Sequence, residues 1–173
     1  MNIQLTDIEV DYGRSEGVRR HIESLERGYK PKYGQNTKAR LQNDIDGAIA
    51  ELAVAKALGV DPGFRSRPHE ELKLPDVMEW QVRYTPYATG RLIIQVDDKD
   101  HEKFVLVTGT CPNFNIRGWM RGRDAKVSKY KTYPKNGRPY GFWVPQKDLE
   151  PFRLGDQSPS RPLSGPRQLT RVR

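Results

Sequence analysis

A chain of 173 residues with 35% hydrophobic and 30% charged residues is long enough for one domain with a real core, and polar enough to leave some length outside it. Its formal net charge of +8 favours an anionic partner, of which nucleic acid is the common case. The single cysteine, Cys111, excludes an internal disulfide and a cysteine-based metal cluster, and suits a reducing, cytoplasmic setting. The opening "MNIQLTDIEV" lacks the basic start and apolar run of a signal peptide. No apolar stretch approaches the roughly 20 residues that span a bilayer, so no membrane contact is expected.

In chain order, "SEGVRRHIESLERG" predicts a short helix, with Ser15 able to cap it and Gly28 able to stop it. Val18, Ile22 and Leu25 recur on one face and are the candidate core stripe. "YKPKYGQN" reads as a loop. "TKARLQNDIDGAIAELAVAKALGV" is the strongest helix, with Leu41, Ile45, Ile49 and Leu52 in a stripe, Ala48, Ala53 and Ala55 beside it, and Gly59 as terminator. "DPGFRSRPHEELKLP" is a polar connection. Three strands follow: residues 78–85, "RLIIQV" and "KFVLVTGT", separated by turn signals at 86–90 and in "DDKDHE". Their apolar density predicts strands buried against helices.

"NIRGWMRGRDAKVSKYK" begins as a short strand and turns basic, helical from Arg123. "GFWVP" reads as one more short strand, followed by "QKDLEPF". From Leu154 onward the chain is rich in Pro, Ser, Gly and Arg and reads as a mobile basic tail. No internal repeat is present. The order of elements predicts a single α/β domain over residues 1–153, with a central mixed sheet flanked by helices, and a tail over 154–173.

The stretch "LPDVMEWQVRYT" carries the candidate chemistry. In a strand, alternate side chains share a face, so Gln81 and Arg83 project together, with Asp76 just before them. Oxygen ligands arranged in this way suit a hard divalent cation, which would activate water and stabilise charge on a phosphate. Glu51 lies at the edge of the apolar stripe of the 37–58 helix and is the candidate helical partner.

These residues, in this order, resemble the PD-(D/E)XK nuclease superfamily, and especially phage- and prophage-encoded members. The resemblance covers about residues 38–152 and rests on "GAIAE", "DVMEWQVR", "FVLVTG", "RGWMRGRDAK" and "FWVP". It implies a restriction-endonuclease-like core and DNA hydrolysis dependent on Mg²⁺ or Mn²⁺. It also implies a metal site of Glu51, Asp76 and Gln81, with Arg83 against the scissile phosphate. Two positions depart from the family pattern. Gln81 stands where a second carboxylate is usual and brings no charge. Arg83 stands where lysine is usual and cannot act as a base. Glu79 is an alternative acid if the register shifts by one pleat.

A second function-bearing segment runs from residue 112 to 140. Arg117, Arg121, Arg123, Lys126, Lys129 and Lys131 lead eight cations set against Asp124 alone, with Trp119, Tyr130, Tyr133 and Tyr140 interleaved. Cations neutralise phosphates and aromatic rings stack on bases, which predicts nucleic-acid binding without strong base readout. Trp119 and Trp143 read as core residues. The three histidines are scattered, with His69 and His101 in polar loops, and "VDDKD" reads as a charged turn. The expected activity is therefore a metal-dependent DNA endonuclease acting on duplex or branched DNA, with a homodimer possible. The alternatives are a catalytically silent DNA-binding protein on the same fold, and a phage structural or packaging-associated protein.

Overall fold

The chain begins with a strand that its first residues do not announce. A computed structural model describes residues 1–28, 37–62, 64, 74–134 and 139–154. In it β1 (Asn2–Gln4) pairs with a distant strand before the chain enters α1 (Asp7–Glu26). Thr6 and Glu9 set the start of α1 by a capping box: the Thr6 side chain accepts the Glu9 N–H, and the Glu9 carboxylate accepts the Thr6 N–H at 2.7 Å. The helix thus starts well before Ser15, whose hydroxyl donates inside the helix to the Asp11 carbonyl. Gly28 does follow its end, at φ +68°.

The buried face of α1 is not the expected one. Ile22 and Leu25 are each 49% exposed, whereas Val10, Gly13, Glu16, Gly17 and His21 are buried. The reason is close helix packing. A Cβ on Gly17 would lie 2.4 Å from the Ile45 Cα, so only glycine permits this approach to α2 (Thr37–Leu58). Every residue of α2 from 48 to 55 is buried, because α2 lies between α1 and the sheet and must be apolar nearly all round. Gly59, at φ +67°, ends it as expected, and the Val60 N–H returns to the Ala55 carbonyl.

The central sheet is mixed, as expected. Its order is β1, β5 (Asn113–Arg121), β4 (Lys103–Thr110), β2 (Trp80–Thr85). β2 runs parallel to β4, and the other pairs are antiparallel. β5 spans nine residues, longer than the short strand expected there, and leads into the single turn of α3 (Gly122–Ala125).

"RLIIQV" and "GFWVP" do not join this sheet. They form β3 (Leu92–Gln95) and β7 (Gly141–Val144), which pair with each other and with β6 (Lys131–Thr132) in a second sheet of order β3-β7-β6. Leu92, Ile94, Phe142 and Val144 pack with Phe104, Leu106 and Met120 in one core cluster. A second cluster gathers Trp80, Val105, Val107, Phe114 and Ile116 with the buried residues of α2. The central sheet is thus covered on both faces, by α2 on one and by the second sheet, with Ala125 of α3 beside it, on the other. All of the expected tail beyond Leu154 lies outside the described residues.

Tyr84 links β2 to this core by donating its hydroxyl to the Gly109 carbonyl at 3.0 Å. Burial, with smaller effects from Asp46 and Cys111, pushes its phenol up to about 12. A raised value in the folded state gives stability that is complete below about pH 10 and is lost as pH rises through the folded value. A spectrophotometric titration is expected to show one late-ionising phenol that is missing from Tyr84→Phe. A Tyr84→Phe titration identical to that of the parent would refute this.

Candidate nucleic-acid interface

β2 alternates as its sequence predicts. Trp80, Val82 and Tyr84 pack toward α2. Gln81 and Arg83 pair in register with Phe104 and Leu106, whose side chains belong to the cluster beneath the second sheet. Gln81 and Arg83 therefore do share a face, and that face is turned away from α2.

Glu51 is on the other side. It is only 6% exposed, and both of its oxygens accept from Arg20, at 2.7 and 2.6 Å. The Arg20 Nε reaches Glu16 at 2.7 Å, and its guanidinium lies 5.3 Å from the Phe64 ring centroid. Burial alone would lower the Arg20 pKa; Glu51 and Glu16 more than offset this and raise it. Burial likewise works to raise the Glu16 carboxyl, but Arg19 and Arg20 hold it below the usual carboxylate range. Glu51 is thus part of an ion-pair network that ties α1 to α2. Nearby, His21 Nδ1 meets Asp44 at 2.7 Å across the same helix pair.

Asp76 has a third location. Val77 and Trp80 close a tight turn by exchanging backbone hydrogen bonds, with Met78 at φ +52°. The turn folds residue 76 back along the outer edge of β2, where its carboxylate accepts the Val82 N–H at 2.8 Å. Glu79 does not replace Gln81. Its oxygen lies 2.9 Å from Lys103 Nζ, without hydrogen-bond alignment, and Lys103 sits by the rings of Trp80 and Trp119 on the helix side of the sheet.

Glu51 and Gln81 consequently lie on opposite faces of the sheet, so these two do not fit one Mg²⁺ or Mn²⁺ cage. Among the described residues, no three His, Cys, Asp or Glu side chains gather to hold a metal ion. Also among those residues, no helix is long and apolar enough to cross a membrane.

Arg83 is held firmly. It donates to Asp98 at 2.8 Å and lies 4.9 Å from the Phe104 ring centroid. Asp98 also accepts the Gln95 N–H at 2.8 Å, so the "VDDKD" segment is a charged turn pinned at its centre. The expected basic segment is divided among several elements. Arg117 donates to Thr108 at 2.6 Å, and Arg121 lines a small cleft with Lys103 and Glu79. Arg123 is exposed beside Asp124, Lys126 is bound by Asp100 and the Asp98 carbonyl, and Lys129 pairs with Asp148 at 3.0 Å. Lys131 lies 4.0 Å from the Tyr140 centroid and 5.4 Å from that of Tyr133.

A larger cleft, of about 720 Å³, opens at the C-terminal end of β2, where the 86–91 turn meets the second sheet. Arg83, Tyr87, Arg91, Ile93, Thr132 and Trp143 line it. Its volume lies within the range of ligand sites, roughly 300 to 1,000 Å³. Sequence reasoning treated 86–90 as a plain turn. The available signal was an aromatic residue and an arginine flanking that turn, Tyr87 and Arg91, and it became legible only once Trp143 was known to lie beside them.

The fold and this surface define a basic two-sheet α/β protein with an aromatic and arginine-lined cleft. No family model, curated protein or solved structure matches the chain.

Proposed function

We propose that the protein binds nucleic acid and does not hydrolyse it at Glu51, Asp76, Gln81 and Arg83. The observation that carries this reading is the separation of Glu51 from Gln81 and Arg83: Glu51 is paired with Arg20 on one face of the sheet, and Gln81 and Arg83 project from the other. That leaves the net charge of +8, with cations and aromatic rings at the surface of the second sheet and its neighbouring turn. Phosphate neutralisation supplies most of the affinity of such surfaces, so binding should weaken steeply with salt. The DNA-binding alternative on a nuclease-related scaffold is thus favoured over the endonuclease.

The experiment pairs binding with cleavage. Labelled duplex and single-stranded DNA are titrated by fluorescence anisotropy across a salt series, in Mg²⁺, Mn²⁺ and EDTA, and the same mixtures are run on a denaturing gel. The expected result is salt-sensitive binding that EDTA does not abolish, with uncut DNA. Cleavage that needs the metal and disappears in a folded Asp76→Ala variant would overturn the proposal in favour of a nuclease. The absence of binding even at low salt would overturn it altogether.

A further inference from the structure

The cleft beside β2 combines features that a general polyanion surface does not need. Tyr87 is a large aromatic side chain left 73% exposed on a turn, and Trp143 stands partly exposed on β7 within the same lining. Leaving one such ring open and a second partly so forgoes burial, which is the usual fate of large apolar groups. Between them the cleft carries two cations of different kinds. Arg83 is immobilised by Asp98 and Phe104, and its guanidinium has further N–H donors beyond the one that Asp98 accepts. Arg91 is exposed and, among the described residues, has no ion-pair partner. Thr132 adds a hydroxyl at the wall. A planar ring beside a phosphate matches this set: rings to stack on, an unpaired arginine for charge, and a small polar group at the edge.

The size of the cleft narrows the ligand further. A space of about 720 Å³ takes one or two nucleotide units but not the breadth of a duplex. Bases within a duplex are stacked on each other and present only their edges, so they cannot lie against Tyr87 or Trp143. We infer that the cleft seats an unstacked nucleotide of a single-stranded segment, with its base against Tyr87 and Trp143 and its phosphate on Arg91. This rests on the nucleic-acid reading above and specifies its substrate class.

The test compares a labelled oligothymidylate with a duplex of the same length on the full chain, using Tyr87→Ala and Arg91→Ala. Both substituted side chains are exposed, so the variants are expected to fold, and circular dichroism checks this. The parent should prefer the single strand, and oligothymidylate should quench tryptophan fluorescence. Tyr87→Ala should weaken single-strand binding roughly tenfold to a hundredfold, as loss of one stacked base does, and weaken duplex binding far less. Arg91→Ala should flatten the salt dependence of single-strand binding by about 0.7 in log–log slope, the loss of one phosphate contact. Equal affinity for both forms, or single-strand affinity indifferent to both substitutions, would overturn the cleft assignment while leaving nucleic-acid binding intact. No binding of either form would overturn both readings.

Discussion

Glu51→Ala will unfold well before the parent protein. Removing one member of a buried ion pair leaves the other charge without its partner, which costs about 3 to 5 kcal/mol. Glu51 is buried, but the Arg20 side chain is 29% exposed, so water can partly solvate the abandoned guanidinium, and Glu16 still holds its Nε. The lower end, about 3 kcal/mol, is therefore expected, or a fall in Tm of roughly 10 °C for a chain of this size. Urea denaturation measures it. The double variant Arg20→Met with Glu51→Leu should recover part of the loss, because apolar replacements of similar volume need no partner and Arg19 still holds Glu16. This also separates a structural from a catalytic role. A Glu51→Ala protein with parental stability would refute the ion-pair assignment and reopen Glu51 as a metal ligand.

Gly17→Ala should be nearly as damaging, against the ordinary trend. In an exposed helix interior, alanine is better than glycine by about 1 kcal/mol. At Gly17 the added Cβ would lie 2.4 Å from the Ile45 Cα, 2.7 Å from its N and 2.8 Å from the Asp44 carbonyl oxygen. All three are backbone atoms, so no rotamer change relieves the overlap. α1 must move away, and both Arg20–Glu51 and His21–Asp44 cross the same helix pair. Overpacking of this kind costs about 1 to 3 kcal/mol, occasionally more, and we expect the upper end. Gly47→Ala is the internal control. A Cβ added there would meet no atom within 4 Å outside its own turn of α2, so the same substitution should stabilise by about 1 kcal/mol. Opposite shifts in the two urea midpoints are expected; shifts of the same sign would refute the packing account.

These two predictions also show why Glu51 lies apart from Gln81 and Arg83. The alternation of β2 was legible in "WQVRYT", because period two is a local property of an extended chain. It correctly put Gln81 and Arg83 together. It did not say which layer would cover which face. That was settled by Phe104 and Leu106 packing under the second sheet while Val105 and Val107 met α2. Glu51 does lie on a helix, but its carboxylate turns to α1. Its actual partner, Arg20, belongs to a helix whose packing face was misjudged. Hydrophobic periodicity singled out Ile22 and Leu25, whereas glycine spacing decided the contact.

By itself, the sequence determined the α/β class, the two helices and their glycine stops, most of the strands, and a net positive charge. All of these follow from local periodicity, turn chemistry and composition. Only the tertiary structure decided that α1 docks through Gly13 and Gly17, that two strands leave the central sheet to form their own, that Asp76 caps the edge of β2, and that Tyr87, Arg91 and Trp143 share a cleft. Each of these depends on which surfaces meet across long sequence separations. Close packing and the pairing of buried charge select those meetings, and neither is written in the spacing of neighbouring residues.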